Sequence, residues 1–141
     1  MQKLILQTIK KPSTQTTNLR LTFNLPSVDT LLPALHTGDF IVLYGSQNVT
    51  FLMSQLCVRA HLPQKQGGLD SKTIFIDAAN SSSLSNIIQV AELHHFESSK
   101  VLEQIQPLRA YTAYKLHSLI MEKLEQTIQA SNAKLVVISD L

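Results

Sequence analysis

Thr37-Gly38-Asp39-Phe40-Ile41-Val42-Leu43-Tyr44-Gly45-Ser46-Gln47-Asn48-Val49-Thr50 is the stretch on which the fold turns. Its apolar run, Phe40 to Tyr44, ends at Gly45, and a helix-forming stretch, Val49 to Leu62, begins a few residues later. The run does not alternate with polar residues, so it is expected as a strand buried on both faces of a parallel sheet. In nucleotide-binding proteins such a junction carries G-x-x-x-x-G-K-[ST], whose backbone N–H groups cradle phosphates while the lysine reaches them. Here Gly45 is followed by Ser-Gln-Asn-Val-Thr, with no second glycine, no lysine, and two residues too few before Thr50. The strand–turn–helix frame is kept, and the groups that grip phosphate are not.

Upstream of this junction, Gln2 to Lys10 reads as a short strand and the polar stretch Lys11 to Asn18 as a linker. Leu19-Arg20-Leu21-Thr22-Phe23 alternates in the manner of a half-buried or edge strand. Ser27 can cap a short helix, Val28 to Leu32, that Pro33 stops. Residues 1–23 therefore read as N-terminal strands and linker, and residues 24–141 as the core.

Downstream, helix 49–62 aligns Val49, Met53, Leu56 and Ala60 on one stripe and closes at Pro63 and Gly67-Gly68. Thr73 to Asp77 is a second buried strand. Ser82 or Ser83 caps a helix with Leu84, Ile87, Ile88 and Ala91 facing inward, and a short helix from Ser98 or Ser99 carries Val101 and Leu102. Ile105 to Ala110 is a third strand, placed at a sheet edge because Pro107 cannot donate to a ladder. The longest helix, about Ala113 to Ala130, stacks Leu116, Ile120, Leu124 and Ile128, and Lys134 to Ser139 forms the last strand. Strands alternating with helices make this an α/β chain with right-handed crossovers and a mostly parallel sheet.

With 141 residues, 44% of them hydrophobic and 16% charged, the chain can bury a core and is not of disordered composition. A formal net charge of +2 does not mark a dedicated nucleic-acid binder. The lone Cys57, set among apolar neighbours, excludes an internal disulfide and reads as a small buried hydrophobe. The N-terminal apolar run is too short for a signal peptide, and no stretch approaches the roughly 18 apolar residues of a membrane span. A soluble cytoplasmic protein with no membrane association is expected.

Candidate sites are few. Gly45, Ser46, Asn48 and Thr50 could form a degenerate nucleotide site using the N-terminus of helix 49–62, although Asn48 more simply caps that helix. Asp77 ends its strand where a turn acceptor is the simpler role than a metal ligand. His94 and His95 point about 100° apart on a helix, so they read as a solvated helix end and not a metal pair. Arg109, Lys115, Lys123 and Lys134 are interleaved with Glu122 and Glu125, as on a mixed solvent face.

The order and wording of these segments resemble the ATPase core of the RecA/RadA recombinase family, closest to archaeal RadA-like proteins. The matching text is Leu25-Pro26-Ser27-Val28-Asp29-Thr30-Leu31-Leu32, Thr37 to Gly45, Gln55 to Pro63, Gly67-Gly68-Leu69, Thr73 to Asp77, Arg109-Ala110-Tyr111 and Ala133 to Ile138. The resemblance implies a three-layer P-loop NTPase (RecA-like) fold and covers about residues 24 to 141. It also implies where the family's chemistry would fall. The phosphate-loop lysine falls on Val49, and the hydroxyl that helps hold magnesium survives as Thr50. The acidic residue that activates water falls on Ala79. The Walker B aspartate falls on Ser139, with Asp140 one residue later and so on the opposite strand face. Phosphate neutralisation, water activation and metal support would be lost together.

Against the family pattern the fold is expected to be incomplete. The family continues past the Walker B strand with a strand that lies between it and the phosphate-loop strand, followed by DNA-holding loops. A gap there leaves exposed strand edges that invite pairing. Strands 40–44 and 134–139 could close up on each other, the N-terminal strand could fill in, a partner could supply the strand, or these 141 residues could be part of a longer polypeptide. The expected role is a non-catalytic protein of DNA recombination and repair, bound to a recombinase or paralogue or to itself through such edges, with no cofactor. The alternative is a divergent, weak ATP-binding ATPase using magnesium with Thr50, Asp77 and Asp140. Direct DNA binding is disfavoured, because the chain has no tryptophan and only three tyrosines.

Overall fold

The computed structural model describes residues 7–9, 18–46, 48–79 and 83–140. In chain order the elements are β1 (Gln7–Ile9), β2 (Arg20–Leu21), α1 (Pro26–Asp29), β3 (Leu35–His36), β4 (Phe40–Val42) and α2 (Asn48–Ala60). A 3₁₀ turn at Gln64–Gln66 leads to β5 (Thr73–Asp77), α3 (Ser83–Leu93), α4 (Ser98–Glu103) and β6 (Ile105–Arg109). The chain then runs through α5 (Ala113–Ser118), a π turn (Leu119–Lys123), α6 (Leu124–Ser131) and β7 (Leu135–Ser139). The linker stretch 11–17 and the cap candidate Ser82 lie outside the described residues, and of the expected strand 2–10 only β1 lies within them.

β5 is the centre of a parallel sheet of order β6-β5-β7, with Thr73 opposite Ile105 and Leu135 and Asp77 opposite Arg109 and Ser139. Side chains alternate between its faces. Phe75 joins Cys57 and Val58 of α2, Ile87, Val90 and Ala91 of α3, and Val101 of α4 in one core layer. Ile74 and Ile76 turn the other way, onto Leu116, Leu119, Leu124 and Ile128 of the α5–α6 segment. This is the expected three-layer α/β arrangement. Pro107 sits in β6, which has one neighbour among the described residues, as its missing N–H requires.

Strand 40–44 departs from expectation. Only Phe40–Val42 is strand, and it pairs antiparallel with β1 instead of joining the parallel sheet. Ile41 and Leu43 pack into a second core with Leu21, Phe23, Leu52 and Leu56, while Phe40, Val42 and Tyr44 are exposed. A run without polar residues was read as buried on both faces, but only one face has a core beneath it. β4 and β7 do not close up on each other, and the N-terminal strand pairs with β4, not β7.

α2 is buried almost all round in its C-terminal half, from Ser54 to Ala60, and is not a single-stripe helix. Cys57 and Val58 face the sheet core, and Leu52, Leu56 and Ala60 face the second core. Its Arg59 is 7% exposed; Nε donates to Thr22 O at 2.7 Å, and Nη2 donates to Thr22 Oγ1 and Gln66 O. Burial lowers the Arg59 pKa, opposed by the attraction of Asp29. Gly67 has φ +78, and a Cβ there would collide with the Thr22 side chain, so glycine is required where the chain returns beneath Arg59.

Four smaller expectations shift. The first helix runs over Pro26–Asp29 with Leu25, not Ser27, at its N-cap; Asp29 carboxylate oxygens accept the Phe23 and Leu25 N–H groups. In α3 the inward set is Leu84, Ile87, Val90 and Ala91; Val90 was not among the expected residues, and Ile88 is only half-buried. In the long helix Leu119 replaces Ile120 against the sheet. The π turn causes this, because the Leu124 N–H reaches back five residues to Leu119 O, which rotates the face. The pair β2–β3, Arg20 opposite His36, was not anticipated. No helix among the described residues is long and apolar enough to cross a membrane.

Candidate functional site

The candidate residues Gly45, Ser46, Asn48 and Thr50 lie together on the turn from β4 into α2; Gln47 between them lies outside the described residues. Gly45 holds φ +145, a conformation glycine adopts without cost, and the Val49 side chain lies 3.6 Å from where its Cβ would stand. The turn closes with the Val49 N–H donating to Ser46 O at 3.0 Å. Asn48 is the first helical residue, one position past where a side-chain cap would act, so the expected cap is not at Asn48. Thr50 is half-buried and its carbonyl accepts the Ser54 hydroxyl at 2.8 Å.

Beside this turn is an open cleft of about 420 Å³ between α1 and the start of α2. Its walls are Leu25, Val28, Tyr44, Val49, Phe51 and Leu52, with Ser27, Ser46 and Asn48 as the polar contributors. No lysine or arginine lines it among the described residues. The N-terminal end of α2 supplies a positive backbone field at this turn. A triphosphate carries several negative charges, and this wall offers apolar surface in return. Sequence reading missed the wall, because its residues come together only through tertiary packing and the all-apolar run Phe40–Tyr44 does not mark which of its faces is uncovered.

The remaining candidates lie at the ends of the parallel strands. Asp77 Oδ1 accepts the Ala79 N–H at 3.2 Å, the turn-acceptor role expected of it. Ser139, opposite Asp77 in the register, is 3% exposed with its hydroxyl 3.5 Å from Ile76 O. Asp140 is exposed at φ +55. Among the described residues no group of three His, Cys, Asp or Glu side chains is placed to hold a metal.

His94 corrects the reading of a solvated helix end. It is half-buried, and its Nε2 lies 2.8 Å from Gln55 Oε1. Gln55 is fully buried and its Nε2 donates to Phe23 O at 2.8 Å, so its Oε1 is the acceptor and His94 Nε2 carries the proton. Phe96 packs between His94 and His61, whose ring meets it edge-on at 5.9 Å. Burial lowers the His61 pKa and keeps that ring neutral. These groups knit α2 to α3. Cys57 is sealed in the same layer, where burial pushes its thiol up to about 12, so it is no nucleophile at neutral pH.

The family model for Rad51 matches residues 16–141. The chain belongs to the Rad51 family. It is 30% identical over 122 residues to DNA repair protein RAD51 homolog B of Zea mays, an overlap of 84% of this chain and 36% of that protein. Against DNA repair protein RAD51 homolog 1 of Arabidopsis thaliana it is 31% identical over 105 residues, 73% of this chain and 31% of that one. The tomato homologue, from Solanum lycopersicum, is 27% identical over 122 residues. The chain spans about a third of the length of the curated relatives it matches. Its three-layer sheet with helices on both faces is the RecA-like fold of the Rad51 family.

Proposed function

We propose that this Rad51-family chain is non-catalytic and serves DNA recombination and repair through protein contacts, docking on a recombinase or a paralogue. One observation carries the reading: the turn bearing Gly45, Ser46, Asn48 and Thr50 opens onto an apolar cleft that no cation lines among the described residues. Phosphoryl transfer depends almost entirely on positioned positive charge, so a site of this kind lacks the main catalytic term. Ala79 and Ser139, at the positions where the family resemblance places acidic groups, add to it.

Docking is supported by the sheet. β6 and β7 each have one neighbour among the described residues, and an open strand edge is a template for another chain. Tyr111, Tyr114 and Met121 are exposed on the segment that follows β6, and aromatic and Met side chains are favoured at contact surfaces. A lone reduced cysteine fits the cytoplasm, where we place the chain. Co-purification of the full chain with a candidate recombinase, followed by light scattering, tests this reading. A well-folded monomer with no affinity for any recombinase overturns it.

A second reading has its own supporting observation, the cleft itself, which is adjacent to Thr50. Under it the chain is a weak nucleotide binder using Thr50, Asp77 and Asp140. Saturable binding of a fluorescent ATP analogue with magnesium, lost on Thr50→Ala, favours that reading over the first.

A further inference from the structure

Among the described residues β6 and β7 are the two edges of the parallel sheet, and they are built differently. β6 carries Pro107, which has no N–H to donate, and exposes Gln106 and Arg109; proline and charge are the devices that discourage a further strand. β7 is Leu135-Val136-Val137-Ile138-Ser139, free of proline and charge and in unbroken register with β5. We infer that the open edge of β7 pairs with β7 of a second copy of this chain, antiparallel about a two-fold axis at Val137. This goes beyond docking on a recombinase and does not depend on it.

The two faces of β7 are already occupied. Val137 packs on the layer of α2 and α3, and Val136 and Ile138 pack on the α5–α6 side. What is left is the side away from β5, where every second residue aims its N–H and C=O outward and asks for a partner. Leu135 to Ile138 are only half-buried, although all four are apolar and three are β-branched. A strand of that composition, with an unblunted edge, is a ready template for another.

Charge selects a second copy as the occupant and fixes the register. Lys134 and Asp140 flank the strand, both exposed and opposite in sign. Antiparallel pairing centred on Val137 sets Val136 opposite the second copy's Ile138, and Leu135 opposite its Ser139. The same register sets Lys134 opposite Asp140, once at each end, as two-fold symmetry requires. Opposite charges facing each other across a strand pair are favourable, and like charges are not. A slip of one residue loses both charge pairs, and in-register parallel pairing would set Lys134 beside Lys134. Lys134 Nζ donates to Leu69 O at 3.2 Å, which leaves its other N–H groups for the carboxylate.

Sedimentation of the full chain alone, read against charge exchange, tests the pairing. An edge contact is small, so dimers are expected as the concentration reaches about 100 μM. Lys134→Asp and Asp140→Lys, each alone, should weaken association about tenfold, and the two together should restore it. Loss of the Lys134 bond to Leu69 O would not be repaired by the second exchange, so restoration reports the contact between copies. In a Cys57→Ala background, mildly oxidised Val137→Cys should give a nearly complete disulfide-linked dimer, because opposed Cα atoms lie about 4.5–5.5 Å apart. Leu135→Cys should give none, its symmetry mate lying four residues along, about 13 Å away. A chain that stays monomeric at about 100 μM overturns the inference by mass action. So does a dimer indifferent to the charge reversals or not restored by the double exchange, and so does a folded Val137→Cys variant that does not cross-link. If Val137→Cys fails to fold, the charge exchange decides. Co-purification with a recombinase tests the docking role separately, and none of these results bears on it.

Discussion

Phe40–Tyr44 and Thr73–Asp77 are both short apolar runs flanked by turn residues, yet the chain treats them differently. Phe75 is 1% exposed and Phe40 is 60% exposed. β5 has a parallel neighbour on each side and helices over both faces. β4 has the antiparallel β1 on one side and a core beneath one face only. Burial of a strand is thus decided by what surrounds it and not by its own composition, as the context-dependence of strand propensity implies. β4 is among the strands left outside the parallel sheet.

The largest effect expected from that contrast is at Phe75. Phe75→Ala empties the layer between β5 and α2–α3 and should cost about 3–5 kcal/mol by urea denaturation. A loss near that expected at exposed positions would mean β5 is no better packed than β4.

Cys57 sharpens the comparison through pH. Its thiol ordinarily titrates at 9.0 and is pushed up to about 12 in the fold. The folded state therefore holds the proton more tightly, so the contribution is fully present below pH 9 and is lost as pH rises toward 12. At about 1.4 kcal/mol per unit, the loss approaches 4 kcal/mol. Denaturation curves of the chain and of Cys57→Ala across this range should diverge by an amount of that order, and coincident curves would show the layer to be wet.

Gly67→Ala tests the return of the chain beneath Arg59. With φ +78 and the Thr22 side chain in the way, a loss of about 1–3 kcal/mol in thermal unfolding is expected. Thr112 tests the helix covering the other sheet face: its hydroxyl accepts the Lys115 N–H at 3.1 Å, and Thr112→Ala should cost about 1 kcal/mol. The smallest effect is at β4, where Phe40→Ser should change stability by no more than about 0.5 kcal/mol. A much larger loss there would show that something covers the outer face of β4.

Much of the fold was legible. Alternation of strand and helix, Pro107 at an edge and the apolar spacing of Leu116, Leu124 and Ile128 all led to the observed layers. What failed was long-range or cooperative. The exposure of Phe40 and Val42 depends on neighbours distant in sequence. The switch from Ile120 to Leu119 depends on a π turn that periodicity does not encode. The Gln55–His94 bond spans 39 residues, so a histidine pair read locally as solvated is in part a core contact. At the site, the missing lysine was plain in the letters. The apolar cleft was not, because Leu25, Val28 and Phe51 come together only through tertiary packing.

Calorimetric titration of the full chain with Mg·ATP probes the Gly45–Thr50 turn most directly. The expected result is no saturable heat up to about 1 mM nucleotide, the signature of affinity weaker than about −4 kcal/mol. Saturable one-to-one binding with Kd of about 10 μM or below, abolished by Thr50→Ala, would contradict the account, because that affinity requires a grip on phosphate that this turn is held to lack.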